Sequence, residues 1–148
     1  MPTLPISFLV TQAKAARGTD GRRYPWGNQW DKDLCNNKES GPGHTTPVGQ
    51  YPDGDSPYGV GDMVGQVLEW CQTGCGSTGE KLGYGYPYPY QPGDGREELT
   101  GNYLRVARGG SWYQYNPAAV CRCGYRIGSI PEGRSSSWGF RCARTSSS

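Results

Sequence analysis

Apolar residues occur in short runs that glycine and proline interrupt every few positions along this chain. The one run of good helix formers is Gln12 to Arg17, and Gly18 after it favours a helix end. A short helix or turn is predicted for Asp62 to Val67. Four segments have strand-like composition: Thr3 to Val10, Leu104 to Arg108, Val120 to Arg126 and Gly139 to Arg144. The pattern predicts an α+β domain with few helices, short strands and long ordered loops.

Composition changes the picture of the core. Aliphatic residues are few, but the chain has 5 Trp and 11 Tyr, each able to bury about 150–250 Å². The formal net charge of +2 is too small for charge-driven disorder. A length of 148 residues fits one domain. We therefore expect a single domain over residues 1–148 with an aromatic-rich core.

The sequence contains no membrane span, since no stretch approaches about 18 apolar residues. The apolar run from Leu4 to Val10 has no basic residue before it, so we interpret it as a strand rather than a signal peptide. The cellular location stays open. The six cysteines lack zinc-ribbon spacing, and His44 alone cannot complete a Cys2His2 site. Free buried thiols are expected for most of them.

Positive charge is concentrated near the C-terminus, where 7 Arg and one acid, Glu132, lie between Arg105 and Arg144. Such a stripe could bind nucleic acid. Arginine also forms multidentate bonds with carbonyls and carboxylates, which suits a loop-rich fold. We favour structural pairing and expect no nucleic-acid partner, because no lysine follows Lys81. The Tyr- and Pro-rich segment from Gly83 to Gly93 predicts a surface loop or an aromatic contact surface.

Few catalytic sites are compatible with these residues. A Ser-His-Asp triad or a two-histidine iron site is excluded by the single histidine, His44, and its context. No phosphate-binding or dinucleotide motif is present. Asp62 and Glu69 flank a glycine turn, and calcium prefers such mixtures of carboxylate and carbonyl oxygens. The alternative is that Glu69 pairs with an arginine.

Several motifs resemble, in order and spacing, the formylglycine-generating-enzyme/sulfatase-modifying-factor domain. They are residues 15–18 (AARG), 20–28 (DGRRYPWGN), 45–49 (TTPVG), 57–63 (PYGVGDM), 69–70 (EW), 105–112 (RVARGGSW) and 139–141 (GFR). The resemblance implies a C-type-lectin-like fold with a small twisted antiparallel sheet. It also implies a calcium site formed by the side chains of Asp62 and Glu69 and the carbonyls of Gly65 and Val67. A second family site would lie near Asn36 and Asn37, where Ser40 replaces the expected carboxylate.

The resemblance to the family's oxidases fails at their copper-binding cysteine pair. That pair follows the Gly-Gly-Ser motif, and its positions fall here on Gln114 and on Ala119 or Val120. Cu(I) prefers thiolate ligands. We therefore expect no copper and no enzymatic activity, with calcium as a possible structural cofactor.

The segment from about 109 to 141 is similar to the variable region of diversity-generating-retroelement proteins, whose rewritten codons yield residues such as Tyr, Ser, Gly, Ile, Ala and Cys. The resemblance implies a non-catalytic protein, diversified by a retroelement, that binds a protein or another surface macromolecule and is displayed on a bacterium or phage. Fixed binding without diversification, or an oxidase with altered chemistry, is the alternative; the oligomeric state is open. Scaffold roles are expected for Trp112, Trp138, Arg126, Arg134 and Arg141. The predicted contact residues are Tyr113, Gln114, Tyr115, Ala118, Ala119, Cys121, Tyr125, Ile127, Ser129, Ile130, Gly133, Ser135, Ser136 and Ser137.

Overall fold

The computed structural model describes residues 8–77, 86, 91, 93–98, 100 and 103–142. Helices and strands alternate irregularly, and loops make up most of the described chain. The helices are α1 (Phe8–Arg17) and α2 (Pro117–Val120), with 3-10 turns at Lys32–Leu34 and Pro52–Gly54. The strands are β1 (Leu68–Ser77), β2 (Tyr103–Arg108), β3 (Ile127–Ser129) and β4 (Trp138–Gly139). This composition of elements confirms the predicted α+β class.

The four strands form one sheet in the order β3-β2-β1-β4. β2 pairs antiparallel with β1, with Glu69 opposite Arg108, and antiparallel with β3. β4 runs parallel to β1, with Leu68 opposite Trp138. The sheet is therefore mixed. The resemblance implied a purely antiparallel sheet, and this expectation is wrong for the β1–β4 pair.

α1 is longer than predicted, because it begins at Phe8 rather than Gln12. It ends as expected at Gly18, which has a φ of +65° and donates its N–H to the Lys14 carbonyl at 3.0 Å. The strand prediction is wrong for residues 8–10, while residues 3–7 lie outside the described part. A short apolar run does not by itself distinguish a strand from a buried helix.

Two predicted strands are displaced. Val120 ends α2, and turns follow it, so the predicted strand from Val120 to Arg126 is wrong and β3 begins only at Ile127. Near the C-terminus, β4 consists of Trp138 and Gly139, so the predicted strand is wrong for residues 140–142, while residues 143 and 144 lie outside the described part. Asp62 to Val67 forms a turn, as the sequence allowed, with left-handed backbone at Asp62 and Gln66.

The core is built from small side chains as much as from aromatic ones. Cys71 and Cys75 in β1 form one buried cluster with Val106 in β2. A second cluster contains Ala16, Met63 and Cys123. A third cluster contains Cys35, Val64 and Cys121. The tryptophans lie at the edge of the core and are half-buried, so the expected aromatic core is only partly realised. Five of the six cysteines are buried free thiols, and Cys142 is exposed.

Buried arginines join β2 to a loop and to the neighbouring strand β1, as the structural interpretation of the basic segment predicts. Arg108 donates from Nη1 to the Tyr125 carbonyl at 3.1 Å, and Arg105 donates to the Gln72 carbonyl at 2.9 Å. Both guanidinium groups therefore use backbone carbonyls as acceptors. Among the described residues, no helix has the length and apolar character needed to cross a membrane.

Candidate ligand-binding surface

The first part of the surface is the aromatic loop, residues 112–119, which leaves the end of β2 through two glycines. Gly109 and Gly110 have φ values of +90° and +70°. A Cβ on Gly110 would lie 2.9 Å from the Cys121 sulfur and 3.1 Å from the Val120 carbonyl oxygen. Glycine is therefore required where the end of β2 approaches the residues that follow the loop.

Two tyrosines extend from the aromatic loop into solvent. Tyr113 is 56% exposed and Tyr115 is 76% exposed. The Lys38 ammonium lies 4.8 Å from the Tyr113 ring centroid and 4.0 Å from the Tyr115 centroid. Both distances are within the range of cation–π contacts, so Lys38 links the two exposed rings. The sequence did not identify Lys38, because it is far from both tyrosines along the chain.

The end of the aromatic loop is held by backbone carbonyls. The Tyr24 hydroxyl donates to the Ala118 carbonyl at 2.6 Å, and Arg122 Nε donates to the Ala119 carbonyl at 2.7 Å. Both alanines border an open depression of about 420 Å³ whose walls include Trp30. Their side chains can therefore vary while the backbone that carries them stays fixed.

The second part of the surface is β3 together with the serine loop, residues 130–137. Ile130 is 51% exposed, and Ser135 and Ser136 are exposed as well. The Gly133 N–H donates to the Ile130 carbonyl at 3.0 Å, which closes a turn in the loop. Ile127 and Ser129 in β3 are half-exposed beside it.

The two loops are anchored to the same short segment of chain. The Trp112 N–H donates to the Gln66 carbonyl at 3.0 Å, and the Leu68 N–H donates to the Ser137 carbonyl at 2.8 Å. Gln66 and Leu68 are two residues apart, which limits their separation to about 7 Å. The aromatic loop and the serine loop therefore leave the sheet side by side, and most of the predicted contact residues lie on them.

Two predicted contact residues are corrected by their burial. Cys121 is 0% exposed and packs against Cys35 and Val64, while Ser137 is 5% exposed. Neither side chain can reach a ligand, because each lies in the layer that anchors its loop. Gln114 and Tyr125 are half-buried, so they contribute only part of their surface.

The residues expected to have scaffold roles differ in burial and in the contacts that they make. Trp138 packs on Trp70 with ring centroids 4.4 Å apart, as a scaffold residue should. Arg134 is exposed and makes no hydrogen bond or ion pair with the described residues, so its scaffold role is not supported. Phe140 is 75% exposed and was missed; only its position next to β4 could have indicated it.

The predicted calcium donors are already partly engaged. Glu69 Oε1 accepts from Arg141, and Glu69 Oε2 accepts from Gln12 Nε2 at 3.4 Å. Asp62 Oδ2 accepts from the Gly49 N–H at 3.3 Å. Carboxylate and carbonyl oxygens are the donors that calcium prefers, so the types of these residues fit the ion. The alternative pairing of Glu69 with an arginine is present, and calcium at Asp62, Gly65, Val67 and Glu69 stays a prediction.

The second predicted cation position contains a buried acceptor without a partner. Asn36 is 0% exposed, and its Oδ1 has no hydrogen bond among the described residues. Its Nδ2 donates to the His44 carbonyl at 2.9 Å and to Gln66 Oε1 at 2.8 Å. Ser40, which replaces the expected carboxylate, donates to the Lys32 carbonyl instead. An oxygen-binding cation would satisfy Asn36 Oδ1.

The thiols near the predicted oxidase positions are held in their protonated form. A hydrogen bond with Cys35 and burial raise the pKa of Cys121 well above its usual value. Burial raises the pKa of Cys123 to about 11. A thiolate is the form that attacks substrates, so both thiols are poor nucleophiles at neutral pH.

Comparison with known proteins identifies the family. The model of the sulfatase-modifying factor enzyme 1-like domain matches residues 9–146. The chain belongs to this family.

Curated relatives of this sulfatase-modifying-factor-like chain have different activities in their names. It is 35% identical over 86% of its length to serine/threonine-protein kinase pkn1 of Chlamydia caviae, and 30% identical over 87% to inactive C-alpha-formylglycine-generating enzyme 2 of Mus musculus. It is 36% identical over 62% of its length to hercynine oxygenase of Mycolicibacterium smegmatis. The chain spans only 18%, 39% and 21% of these three proteins, respectively. The family therefore includes a member named inactive and a member named as an oxygenase.

A solved structure confirms the fold. Treponema denticola variable protein 1 matches with a TM-score of 0.61 and 30% identity, covering 86% of this chain and 41% of that one. The sulfatase-modifying-factor-like chain thus has the C-type-lectin-like fold, and its resemblance to variable proteins is confirmed.

Proposed function

We propose that this domain is a non-catalytic binding protein that holds a protein or another surface macromolecule on its aromatic loop, β3 and serine loop. One observation carries the proposal: the two loops are anchored side by side at Gln66 and Leu68, and they carry exposed tyrosine, isoleucine and serine side chains. Tyrosine provides rigid contact area, while serine and glycine adapt to a ligand's shape. Loops on a fixed scaffold tolerate such variation.

The proposed contact residues are those predicted positions that are at least partly exposed: Tyr113, Gln114, Tyr115, Ala118, Ala119, Tyr125, Ile127, Ser129, Ile130, Gly133, Ser135 and Ser136. Lys38 belongs with them, because it contacts both exposed tyrosines of the aromatic loop. Phe140 is a further exposed aromatic residue, located just after β4.

We further propose that a retroelement diversifies this surface. The similarity to Treponema denticola variable protein 1 supports this proposal. The residue types at the exposed positions are mainly those that adenine-directed changes of an asparagine codon produce, with Gln114 as an exception. Buried residues between them, such as Cys121 and Ser137, hold the loops in place.

The absence of catalysis is proposed on the chemistry of the oxidase positions. Gln114 and Ala119 cannot supply thiolates, and burial keeps Cys121 and Cys123 protonated. Similarity to a relative named inactive supports this, whereas similarity to an oxygenase favours the alternative of altered chemistry. A Cu(I) titration against a chromogenic chelator tests the point. We expect no copper retained by the protein, and stoichiometric retention would favour the oxidase alternative.

Simultaneous exchange of contact residues tests whether this surface is free to vary. The variant combines Tyr113→Ser, Tyr115→Ser, Ile130→Ser and Ser135→Tyr. Exposed substitutions away from buried features usually change stability by less than about 0.5 kcal/mol each. We expect the melting temperature to stay within about 4 °C of the wild type, whereas Val106→Ala in the core lowers it by more. Unfolding of the loop variant would contradict a surface that is free to vary.

A further inference from the structure

Four arginines surround one open depression of about 460 Å³, outside the proposed contact surface. Arg17 comes from the last turn of α1, and Arg22 and Arg23 follow in the next loop. Arg122 comes from the turn after α2, far along the chain. The remaining lining residues are Gly21, Asn28 and Gly124.

Positive charge in this depression is only partly compensated by the described residues. Arg22 forms an ion pair with Asp20 at 2.6 Å and donates to the Pro25 carbonyl at 2.9 Å. Arg17 and Arg122 donate to neutral carbonyls, those of Gly21 at 3.0 Å and Ala119 at 2.7 Å.

The fourth arginine, Arg23, has an exposed side chain with no hydrogen bond or ion pair to any described residue. Three guanidinium charges therefore face one depression without a carboxylate partner from the part of the chain that the structure describes.

The local backbone keeps these guanidinium groups in place and the depression open. A Cβ on Gly21 would lie 3.1 Å from Arg17 Nη2, and Gly21 has a φ of +75°, so a larger residue would be strained and would press on Arg17. A Cβ on Gly124 would meet nothing within 4 Å, which leaves the rim accessible. Arg17 donates to a described residue through Nη2 alone, and Arg122 through Nε alone, so each guanidinium group keeps further N–H donors for a ligand.

Like charges gathered in a depression repel one another and concentrate an electric field that attracts anions. The planar guanidinium group matches the oxygens of phosphate and can bind two of them at once. We propose that this depression binds a phosphate group, either as the free anion or as a phosphate monoester on a larger molecule. The depression adjoins the proposed ligand surface, because Arg23 and Arg122 also border the depression next to Ala118 and Ala119.

Calorimetric titration of the whole chain with inorganic phosphate and with a phosphoserine tripeptide tests the proposal. We expect saturable binding of at least one probe, and the unphosphorylated tripeptide should not bind. The probe that binds more tightly identifies the source of the phosphate group: the free anion or a phosphorylated residue.

The variant that tests the site is Arg23→Gln combined with Arg122→Gln. Loss of two charge-assisted donors should weaken binding by about tenfold or more. The matched control is Arg134→Gln, which removes an equally exposed charge outside the depression and should leave binding unchanged. An unshifted melting temperature shows that each variant is folded. Absence of saturable binding to either probe, or equal weakening by the control, would overturn the proposal.

Discussion

Arg141 forms hydrogen bonds with both Glu69 in β1 and the turn that precedes β1. Its Nε donates to Glu69 Oε1 at 2.6 Å, and its Nη1 and Nη2 donate to the carbonyls of Gly61 at 3.2 Å and Asp62 at 2.7 Å. Glu69 lies opposite Gly139 in the parallel pair of strands. One guanidinium group thus joins the C-terminal strand, β1 and the turn at Asp62.

Replacing Arg141 by Gln should destabilise the fold. Burial raises the pKa of Glu69 above its usual value, and the hydrogen bond from Arg141 opposes that shift. Without Arg141 the carboxylate is buried and unpaired, which costs several kcal/mol in a deep site. Since Arg141 is one-third exposed, we expect a loss of about 2 kcal/mol in the free energy of unfolding, measured by urea titration.

A double variant distinguishes the ion pair from simple loss of packing. Combining Glu69→Gln with Arg141→Gln removes the unpaired charge and should recover part of the lost stability. Arg134→Gln serves as the control and should change stability by less than about 0.5 kcal/mol. Additive losses in the double variant would show that Arg141 does not act through Glu69.

Calcium binding can be detected by its effect on thermal stability. If the ion binds the folded state at Asp62, Gly65, Val67 and Glu69, its excess raises the melting temperature by mass action. We expect a rise of several degrees when calcium replaces a chelator, and loss of that rise in Asp62→Asn. This variant leaves the Glu69–Arg141 pair intact. An unchanged melting temperature at millimolar calcium rules out the predicted cofactor.

Thiol accessibility separates the buried cysteines from the exposed one. Burial raises the pKa of Cys71 to about 12 and that of Cys123 to about 11, and only Cys142 is exposed. A chromogenic aromatic disulfide at neutral pH should therefore react rapidly with a single thiol in the folded protein, and a Cys142→Ser variant should lose this reaction. All six cysteines should react in denaturant. A second fast thiol would point to a reactive cysteine.

Acid lowers stability through Asp20. Hydrogen bonds from the Arg22 side chain lower the pKa of Asp20 from 3.8 to about 2. The folded state thus binds this proton less readily than the unfolded state. The contribution of Asp20 is complete above 3.8 and is lost as the pH falls towards 2. The difference in unfolding free energy between the wild type and Asp20→Asn should shrink over that range. A difference that does not change with pH contradicts the assignment.

Local sequence signals predicted the helices and strands whose formation depends on residues close by in the sequence. The end of α1 at Gly18 and the β2 strand follow from composition over a few residues. β1 was missed, because Gly74 and Gly76 interrupt it and its register to β2 shifts at both places. β4 has two residues and owes its existence to pairing with β1, which no local pattern encodes.

The candidate surface was predicted from residue types on loops. The structure shows that some of these residues are exposed and others are buried. Tyr113 and Tyr115 are exposed, as paratope-like composition suggests. Cys121 is buried because Cys35, distant along the chain, packs against it. The arginine depression was missed for the same reason, since Arg122 joins Arg17 and Arg23 only in the fold.

The central claim is that a diversified surface lies on this scaffold, and sequencing the DNA that flanks the gene tests it most directly. We predict a near-copy of the codons for Gly109 to Arg141, close to a reverse-transcriptase gene. The copy should differ from the coding sequence only where the copy has adenines. These differences should fall on the exposed positions of the aromatic and serine loops. A complete flanking sequence without such a copy would contradict diversification and leave a fixed binding surface.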